Sequence, residues 1–137
     1  MNLRLYRAGA WLWIITGVVH NIGDVLSRMF PPAAKEPIRA TLRELPFEVF
    51  GMKSNYYSLT MGFSLAMGTS IALAGVLFLI TANMSTGVAD RVRPACLAGI
   101  VASLVLLFLA IAVLQLLPPI VTFTLASVAF SAAVLQR

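Results

Sequence analysis

Four long stretches of the chain consist almost entirely of apolar residues. They cover residues 8–26, 59–82, 94–117 and 120–135. A helix rises about 1.5 Å per residue, so roughly twenty residues are needed to cross the hydrocarbon core of a bilayer. The pattern therefore predicts an all-α membrane protein, a four-transmembrane-helix bundle in which residues 1–137 form a single integral membrane domain.

The third and fourth stretches are joined through the sequence Leu117-Pro118-Pro119-Ile120. Proline lacks a backbone N–H group and disfavours helix in the residue before it. We therefore expect the two prolines to form the turn of a tight helical hairpin. With four spans, both termini lie on the same side of the membrane.

The segment between the first and second spans, residues 27–58, is too long to be a plain loop. Ile38, Leu42 and Leu45 recur in it at helical spacing, and charged side chains occupy the other positions. This pattern predicts a short amphipathic helix over residues 36–45 that lies on the membrane surface. Aromatic residues follow this helix, as is typical of a chain at the level of the lipid headgroups.

The composition narrows the class of protein. Hydrophobic residues make up 60% of the chain and charged residues only 11%, whereas a soluble domain carries about a quarter charged residues. We therefore assign the net charge of +5 to contact with membrane lipids, and not with nucleic acid. Cys96 is the only cysteine and His20 the only histidine, so no disulfide within the chain, no metal site and no cofactor are expected.

The basic residues give little information on orientation. Arg4, Arg7, Arg91, Arg93 and Arg137 lie on the side of the termini, and Arg28, Lys35, Arg39, Arg43 and Lys53 lie on the other side. The terminal side carries its arginines close to the spans, which favours termini in the cytoplasm under the positive-inside rule. The even division is also typical of a dual-topology protein, so that alternative stays open.

The first span carries the most unusual polar residues of the chain. His20, Asp24 and Arg28 are spaced by four residues and share one helix face. An ionisable group in hydrocarbon costs about 2.5 to 3.5 kcal/mol on insertion scales. His20 and Asp24 are candidate catalytic residues, because a carboxylate orients an imidazole for acid–base chemistry, but they equally fit a polar cluster that holds the spans together. Asn21 and Arg28 are candidate ligand-binding residues beside them.

The first loop adds further candidates for ligand contact. Arg39 and Arg43, again four residues apart, are expected either to bind an anionic headgroup or substrate, or to form the solvated face of the surface helix. Glu48 is flanked by apolar residues, so we expect a desolvated carboxylate facing the mouth of the bundle. Tyr56 and Tyr57 fit either a ligand site or the aromatic belt at the interface.

Three motifs carry a resemblance to a known family. They are Gly17-x-x-His20 in the first span, the segment Phe47-Glu48-Val49-Phe50-Gly51-Met52-Lys53-Ser54-Asn55-Tyr56-Tyr57, and Gly62-Phe63-Ser64 in the second span. In these motifs the chain resembles an uncharacterised family of small four-helix bacterial inner-membrane proteins. The resemblance implies the fold, the topology and a location in the inner membrane, and it implies no activity. The chain departs from the family at Ser58, where relatives carry an acidic residue.

Three functions fit these observations. The first is binding, and in one version transformation, of a lipophilic small molecule between the first two spans and under the first loop. The second is an accessory or assembly subunit of a larger membrane complex, or a homo-oligomer, in which His20 and Asp24 face a partner. The third is a small dual-topology exporter. The sequence carries no phosphate-binding glycine loop and no recognisable nucleophile motif, so it does not decide whether the protein is an enzyme.

Overall fold

The computed structural model describes residues 1–84 and 89–136 and is mostly helical (85%). Arg137, counted above among the basic residues on the terminal side, lies outside the described residues. The helices are α1 (Leu3–Met29), α2 (Glu36–Glu44), α3 (Tyr56–Met84), α4 (Arg93–Leu109) and α5 (Leu117–Leu135). A π-helical turn over Ala110–Leu114 extends α4. With this turn included, all of these helices except α2 are long and apolar enough to cross a membrane, as the sequence predicts.

The long helices present apolar side chains outward. Only 11% of the most apolar part of α3 is buried, and Phe63 and Leu77 on this helix are 69% and 63% exposed. A soluble protein does not expose apolar surface along whole helices, because contact of this surface with water is unfavourable. The chain is therefore an integral membrane protein.

The junction between α4 and α5 differs from the prediction. The turn lies at Gln115 and Leu116, before the two prolines, and Gln115 takes a left-handed conformation with φ 51°. Pro118 and Pro119 belong to the first turn of α5. Proline is favoured at the start of a helix because the first N–H groups have no partner within the helix. The prolines therefore begin the last helix and do not form the turn itself.

The first loop contains a two-stranded antiparallel hairpin that the all-α prediction missed. Strand β1 (Pro46–Val49) pairs with β2 (Met52–Asn55), and Glu48 lies opposite Lys53. The turn residues Phe50 and Gly51 both have positive φ, 49° and 78°, as two-residue hairpin turns that match the twist of the strands require. The aromatic segment before α3 is therefore a hairpin of two extended strands joined by the turn at Phe50 and Gly51.

The chain forms two compact units, one of Met1–Thr16 with Ile71–Arg137 and the other of Gly17–Ser70. Aromatic rings form the core of the first unit and meet edge to face; they belong to Tyr6, Trp13, Phe78, Phe123 and Phe130. The indole N–H of Trp13 donates a buried hydrogen bond of 2.9 Å to Ser103 Oγ. Gly9 and Gly99 both lie directly against the ring of Phe130, where a Cβ atom would stand about 3 Å away.

The unit Gly17–Ser70 contains the second half of α1, the hairpin and the beginning of α3. A short 3-10 turn at Ala33–Lys35 leads into α2, which has Pro37 in its first turn. The end of α2 is tied to the beginning of α3, because the Tyr56 N–H donates to the Leu45 carbonyl at 3.2 Å. This unit holds every residue that the sequence singles out as a candidate for function.

Candidate functional site

Polar side chains follow one another along the second half of α1. In chain order they are His20, Asn21, Asp24 and Ser27. Asp24 follows His20 by four residues and Asn21 by three, and Ser27 follows Asp24 by three, so these side chains lie towards one side of the helix. Their partners come from α3 at one end of this row and from α2 at the other.

His20 is held by a hydroxyl group of α3. Its Nε2 atom lies 3.0 Å from Ser64 Oγ and 3.6 Å from Asp24 Oδ2. A serine nucleophile activated by histidine needs the serine on one ring nitrogen and the carboxylate on the other. Here both groups face the same nitrogen, so the arrangement is not that of a Ser-His-Asp triad.

Asn21 makes the second contact between α1 and α3. Its side-chain amide lies 2.9 Å from Thr69 Oγ1. Between these pairs Gly68 lets the helices approach closely, because a Cβ atom there would lie 2.8 Å from His20 Cδ2 and would overlap the Asn21 amide. Small residues and interhelical hydrogen bonds are the usual means of packing helices in membranes. These contacts favour a packing role for His20 and Asn21.

Asp24 has an unused acceptor atom. Its Oδ2 is buried and receives no hydrogen bond from any residue that the structure describes, since His20 Nε2 at 3.6 Å is too distant. A buried acceptor without a partner costs about 1 to 3 kcal/mol, and more when it is charged. Asp24 therefore holds an acceptor atom that no described residue uses.

Arg39 is the one buried residue of α2, with 9% of its surface exposed. Its Nη2 atom donates a long hydrogen bond of 3.4 Å to Ser27 Oγ, and the Ser27 hydroxyl in turn donates to the Asp24 backbone carbonyl at 3.0 Å. Within residues 1–84 and 89–136 no carboxylate oxygen lies within 4.0 Å of this guanidinium group. Arg39 is thus a buried cation without an anionic partner.

Arg43 differs from Arg39, although the sequence pairs them. Its Nη1 atom lies 3.0 Å from Glu36 Oε1 in an ion pair whose side chains are both about half exposed. Its guanidinium carbon also stands 4.9 Å from the centre of the Tyr57 ring, in a cation–π contact. Arg43 is therefore engaged with both Glu36 and the Tyr57 ring, whereas Arg39 has no such partners among the described residues.

The other candidates lie on the surface of this unit. Glu48 is exposed, opposite Lys53 on the neighbouring strand, so the expected desolvation of its carboxylate is wrong. The reason is the hairpin, which turns Glu48 to the face away from its apolar neighbours Phe47 and Val49. Arg28 is exposed in the last turn of α1, where a cation interacts favourably with the helix dipole. Tyr56 is 42% exposed and its ring meets that of Phe47 edge to face at 5.7 Å.

An apolar groove runs along one face of the hairpin and reaches the first turn of α3. Its volume is about 270 Å³ and its lining residues are Phe47, Val49, Met52, Ser54, Ser58 and Leu59. The strand residues that line it alternate along the sequence, which is the signal that would have revealed this face. The groove could not be predicted without strands β1 and β2, which form most of its wall.

The described residues contain no group of three histidine, cysteine, aspartate or glutamate side chains placed to hold a metal ion. Two groups of opposite charge stand out in this unit, the Asp24 carboxylate, whose Oδ2 atom is buried, and the buried Arg39 side chain. Comparisons of the chain with models of protein families, with curated proteins and with solved structures find no match.

Proposed function

We propose that this protein, a four-helix bundle of the bacterial inner membrane, binds a lipophilic molecule that has a polar head. The head lies at the end of α1, beside Asp24 and Arg39 and beneath the loop that carries α2 and the hairpin. The observation that supports this is the pair of buried groups without adequate partners, the Asp24 Oδ2 atom and the Arg39 guanidinium group. Buried charges are normally paired or hydrogen-bonded, and a ligand supplies what the chain does not.

The position along α1 favours a ligand that enters from the bilayer. With 27 residues, α1 is about 40 Å long, which is enough to cross the hydrocarbon core and reach the headgroup layers. Ser27 lies in its last turn and Asp24 one turn earlier. The site is therefore at the depth where the polar part of an amphiphile meets its apolar part.

The exposed side chains of α2 support its place on the membrane surface. Ile38 and Leu45 are 64% and 45% exposed, whereas Arg39 is buried. Ile38 on α2 and Leu45 directly after it thus face outward, whereas Arg39 faces inward, which is the reverse of the usual arrangement in water. An interfacial helix that buries Ile38 in lipid and covers the headgroup site explains both features.

Binding fits the geometry better than catalysis. Ser64 and Asp24 share one ring nitrogen of His20, so this ring lacks the geometry that activates a serine nucleophile. Asp24 and Arg39 hold groups that accept and donate hydrogen bonds, and the Ser27 hydroxyl beside them donates to the Asp24 backbone carbonyl. We therefore assign the site to ligand binding.

The test compares the mass of the purified protein with and without the Asp24 carboxylate. The wild-type protein in a mild detergent should retain a lipophilic adduct in native mass spectrometry. Asp24→Leu should reduce the fraction of the protein that carries the adduct, and Glu44→Leu, which removes an exposed carboxylate from the same unit, should leave this fraction unchanged. A wild-type protein that carries no adduct, or an adduct that Asp24→Leu retains in full, would show that the proposal is wrong.

One observation favours the second function, an accessory subunit. Phe50 at the tip of the hairpin is 97% exposed, and a large exposed aromatic side chain is a common anchor in protein interfaces. If a membrane protein co-purifies with the wild type and is lost with Phe50→Ser, while Asp24→Leu leaves that complex intact, the tip is the contact with a partner subunit.

A further inference from the structure

We infer that the molecule bound at this site is a glycerophospholipid whose headgroup carries an O–H or N–H donor beyond its phosphate. The phosphate contacts Arg39 and the donor contacts Asp24. This class includes lipids with an ethanolamine or a glycerol headgroup and excludes those with choline, which has no such donor. The inference rests on the proposed function and names the ligand class of the same site.

Arg39 selects for phosphate through charge and shape. A guanidinium group presents several N–H donors in one plane and binds phosphate oxygens in a bidentate manner. The group is buried, and its one hydrogen bond in the described residues, 3.4 Å to Ser27 Oγ, is long. A buried cation is stable only when an anion repays its lost hydration. The phosphate of a lipid already in the bilayer is the most abundant anion at this depth.

Asp24 selects for a donor on the rest of the headgroup. Its Oδ2 accepts no hydrogen bond within the described chain, so an O–H or N–H group of the ligand improves the fit. Ser27 links the two protein groups. Its hydroxyl accepts from Arg39 at 3.4 Å and donates to the Asp24 backbone carbonyl at 3.0 Å. In the headgroup only a short carbon chain separates the phosphate from its terminal donor.

No carboxylate of the described residues forms an ion pair with the Arg39 guanidinium group. Glu36, one turn earlier on α2, directs its Oε1 to Arg43 at 3.0 Å. Asp24, the other carboxylate near Ser27, lies beyond 4.0 Å of the guanidinium group, since this contact is absent from the ion pairs of the described residues. Arg28 and Lys35 are exposed, so neither requires an anion to offset a loss of hydration. Arg39 is thus the cation of this unit that lacks a partner and is removed from water.

The experiment measures lipid binding to delipidated protein in detergent by native mass spectrometry. Three phospholipids with identical acyl chains and ethanolamine, glycerol or choline headgroups are titrated separately. The wild type should bind the first two about tenfold more tightly than the choline lipid, the ratio expected for one hydrogen bond to a charged group. Arg39→Gln should weaken all three by roughly ten- to a hundredfold. Lys35→Gln, which removes an exposed cation from the same loop, should change none of them.

Asp24→Leu separates the two contacts. It should reduce the preference over the choline lipid to near unity and should leave the Arg39-dependent affinity for the choline lipid in place. Circular dichroism and gel filtration establish that the variants are folded. If Arg39→Gln does not fold, Arg39→Lys takes its place, and we expect this variant to retain part of the affinity because it keeps the charge but loses the bidentate geometry.

Inorganic phosphate distinguishes a lipid headgroup from a free anion. If phosphate alone stabilises the delipidated protein in an Arg39-dependent way and the lipids add nothing, the ligand is a free anion and the inference is wrong. Equal binding of all lipids by the wild type, or equal binding by the wild type and Arg39→Gln, also overturns it. A wild type that binds some other lipophilic molecule, but shows no such lipid selectivity, contradicts this inference and leaves the proposed function standing. A wild type that binds no lipophilic molecule contradicts both.

Discussion

The Nε2 atom of His20 lies 3.0 Å from the Oγ atom of Ser64, and each belongs to a different long helix. The contact joins α1 to α3 next to Gly68, where the backbone of α3 comes close to the His20 ring. A polar group in a membrane helix needs a partner of this kind. The chain therefore uses its single histidine to fix the packing of two helices within the unit Gly17–Ser70.

A double-mutant cycle tests this role of His20. His20→Ala and Ser64→Ala should each lower the free energy of unfolding in detergent, and their coupling should be about 0.6 kcal/mol, the average for such bonds between membrane helices. Lipid binding at Arg39 should be preserved in both variants. A coupling energy of zero together with loss of the bound lipid would place His20 in the ligand site and not in the packing.

Gly68 should tolerate no side chain. Gly68→Ala places a Cβ atom 2.8 Å from His20 Cδ2 and against the Asn21 amide, so we expect it to lower the free energy of unfolding by about 1 to 3 kcal/mol, as overpacking does. Gly62 on the same helix is the matched control, because a Cβ atom there has no neighbour within 4 Å. Gly62→Ala should be neutral or should stabilise the helix by up to about 1 kcal/mol. Chemical unfolding followed by circular dichroism measures both, and equal effects would contradict the close packing at Gly68.

The sequence predicts the membrane spans well, but it does not predict which side chains contact one another between segments. A run of about twenty apolar residues determines a membrane helix by itself, because the backbone has no other way to satisfy its hydrogen bonds in lipid. The spacing of His20 and Asp24 likewise predicts that they are neighbours on one helix. It contains no information on Ser64 or on the hydroxyl of Ser27, since a contact between segments depends on how the chain folds back.

The burial of Arg39 and the hairpin could not be predicted from the sequence, each for its own physical reason. Helical spacing groups Arg39 with Arg43 as charged residues, but the burial of Arg39 depends on the end of α1, which supplies Ser27. The hairpin escapes because its turn is Phe50-Gly51, and phenylalanine is rare at a positive φ. The usual sequence of such a turn is Asn-Gly or Asp-Gly, and here only the glycine matches this pattern.

Replacement of Phe50 by asparagine should make the turn of the hairpin more stable. With φ 49° at Phe50, a side chain that tolerates the left-handed region removes strain of about 1 kcal/mol. Phe50→Asn should therefore raise the stability of the hairpin, and Gly51→Ala, at φ 78°, should lower it by a similar amount. Hydrogen exchange of the β1 and β2 amides reports both changes. Slower exchange in Gly51→Ala than in the wild type would show that the turn has another conformation.

The buried hydrogen bond of Trp13 should stabilise the unit formed by Met1–Thr16 and Ile71–Arg137. Trp13→Phe keeps a ring in the aromatic cluster but leaves the buried Ser103 hydroxyl without its donor at 2.9 Å. We expect a loss of about 1 to 3 kcal/mol in the free energy of unfolding. The double variant Trp13→Phe with Ser103→Ala should recover part of it, because no polar group is then left unpaired. A double variant that is no more stable than Trp13→Phe would assign the loss to ring packing alone.

Asp24 should reduce stability when no ligand is bound. Its buried Oδ2 atom has no partner among the described residues, and His20 Nε2 at 3.6 Å compensates little. Replacement by an apolar residue of similar shape removes an unsatisfied acceptor, so Asp24→Leu should raise the free energy of unfolding of the delipidated protein by about 1 to 3 kcal/mol. Saturating ethanolamine or glycerol phospholipid should offset this difference by about 1.4 kcal/mol, because the wild type binds these lipids about tenfold more tightly than the variant. Thermal unfolding of both proteins with and without lipid measures the change. A variant that is less stable than the wild type in both conditions would make Asp24 a structural residue.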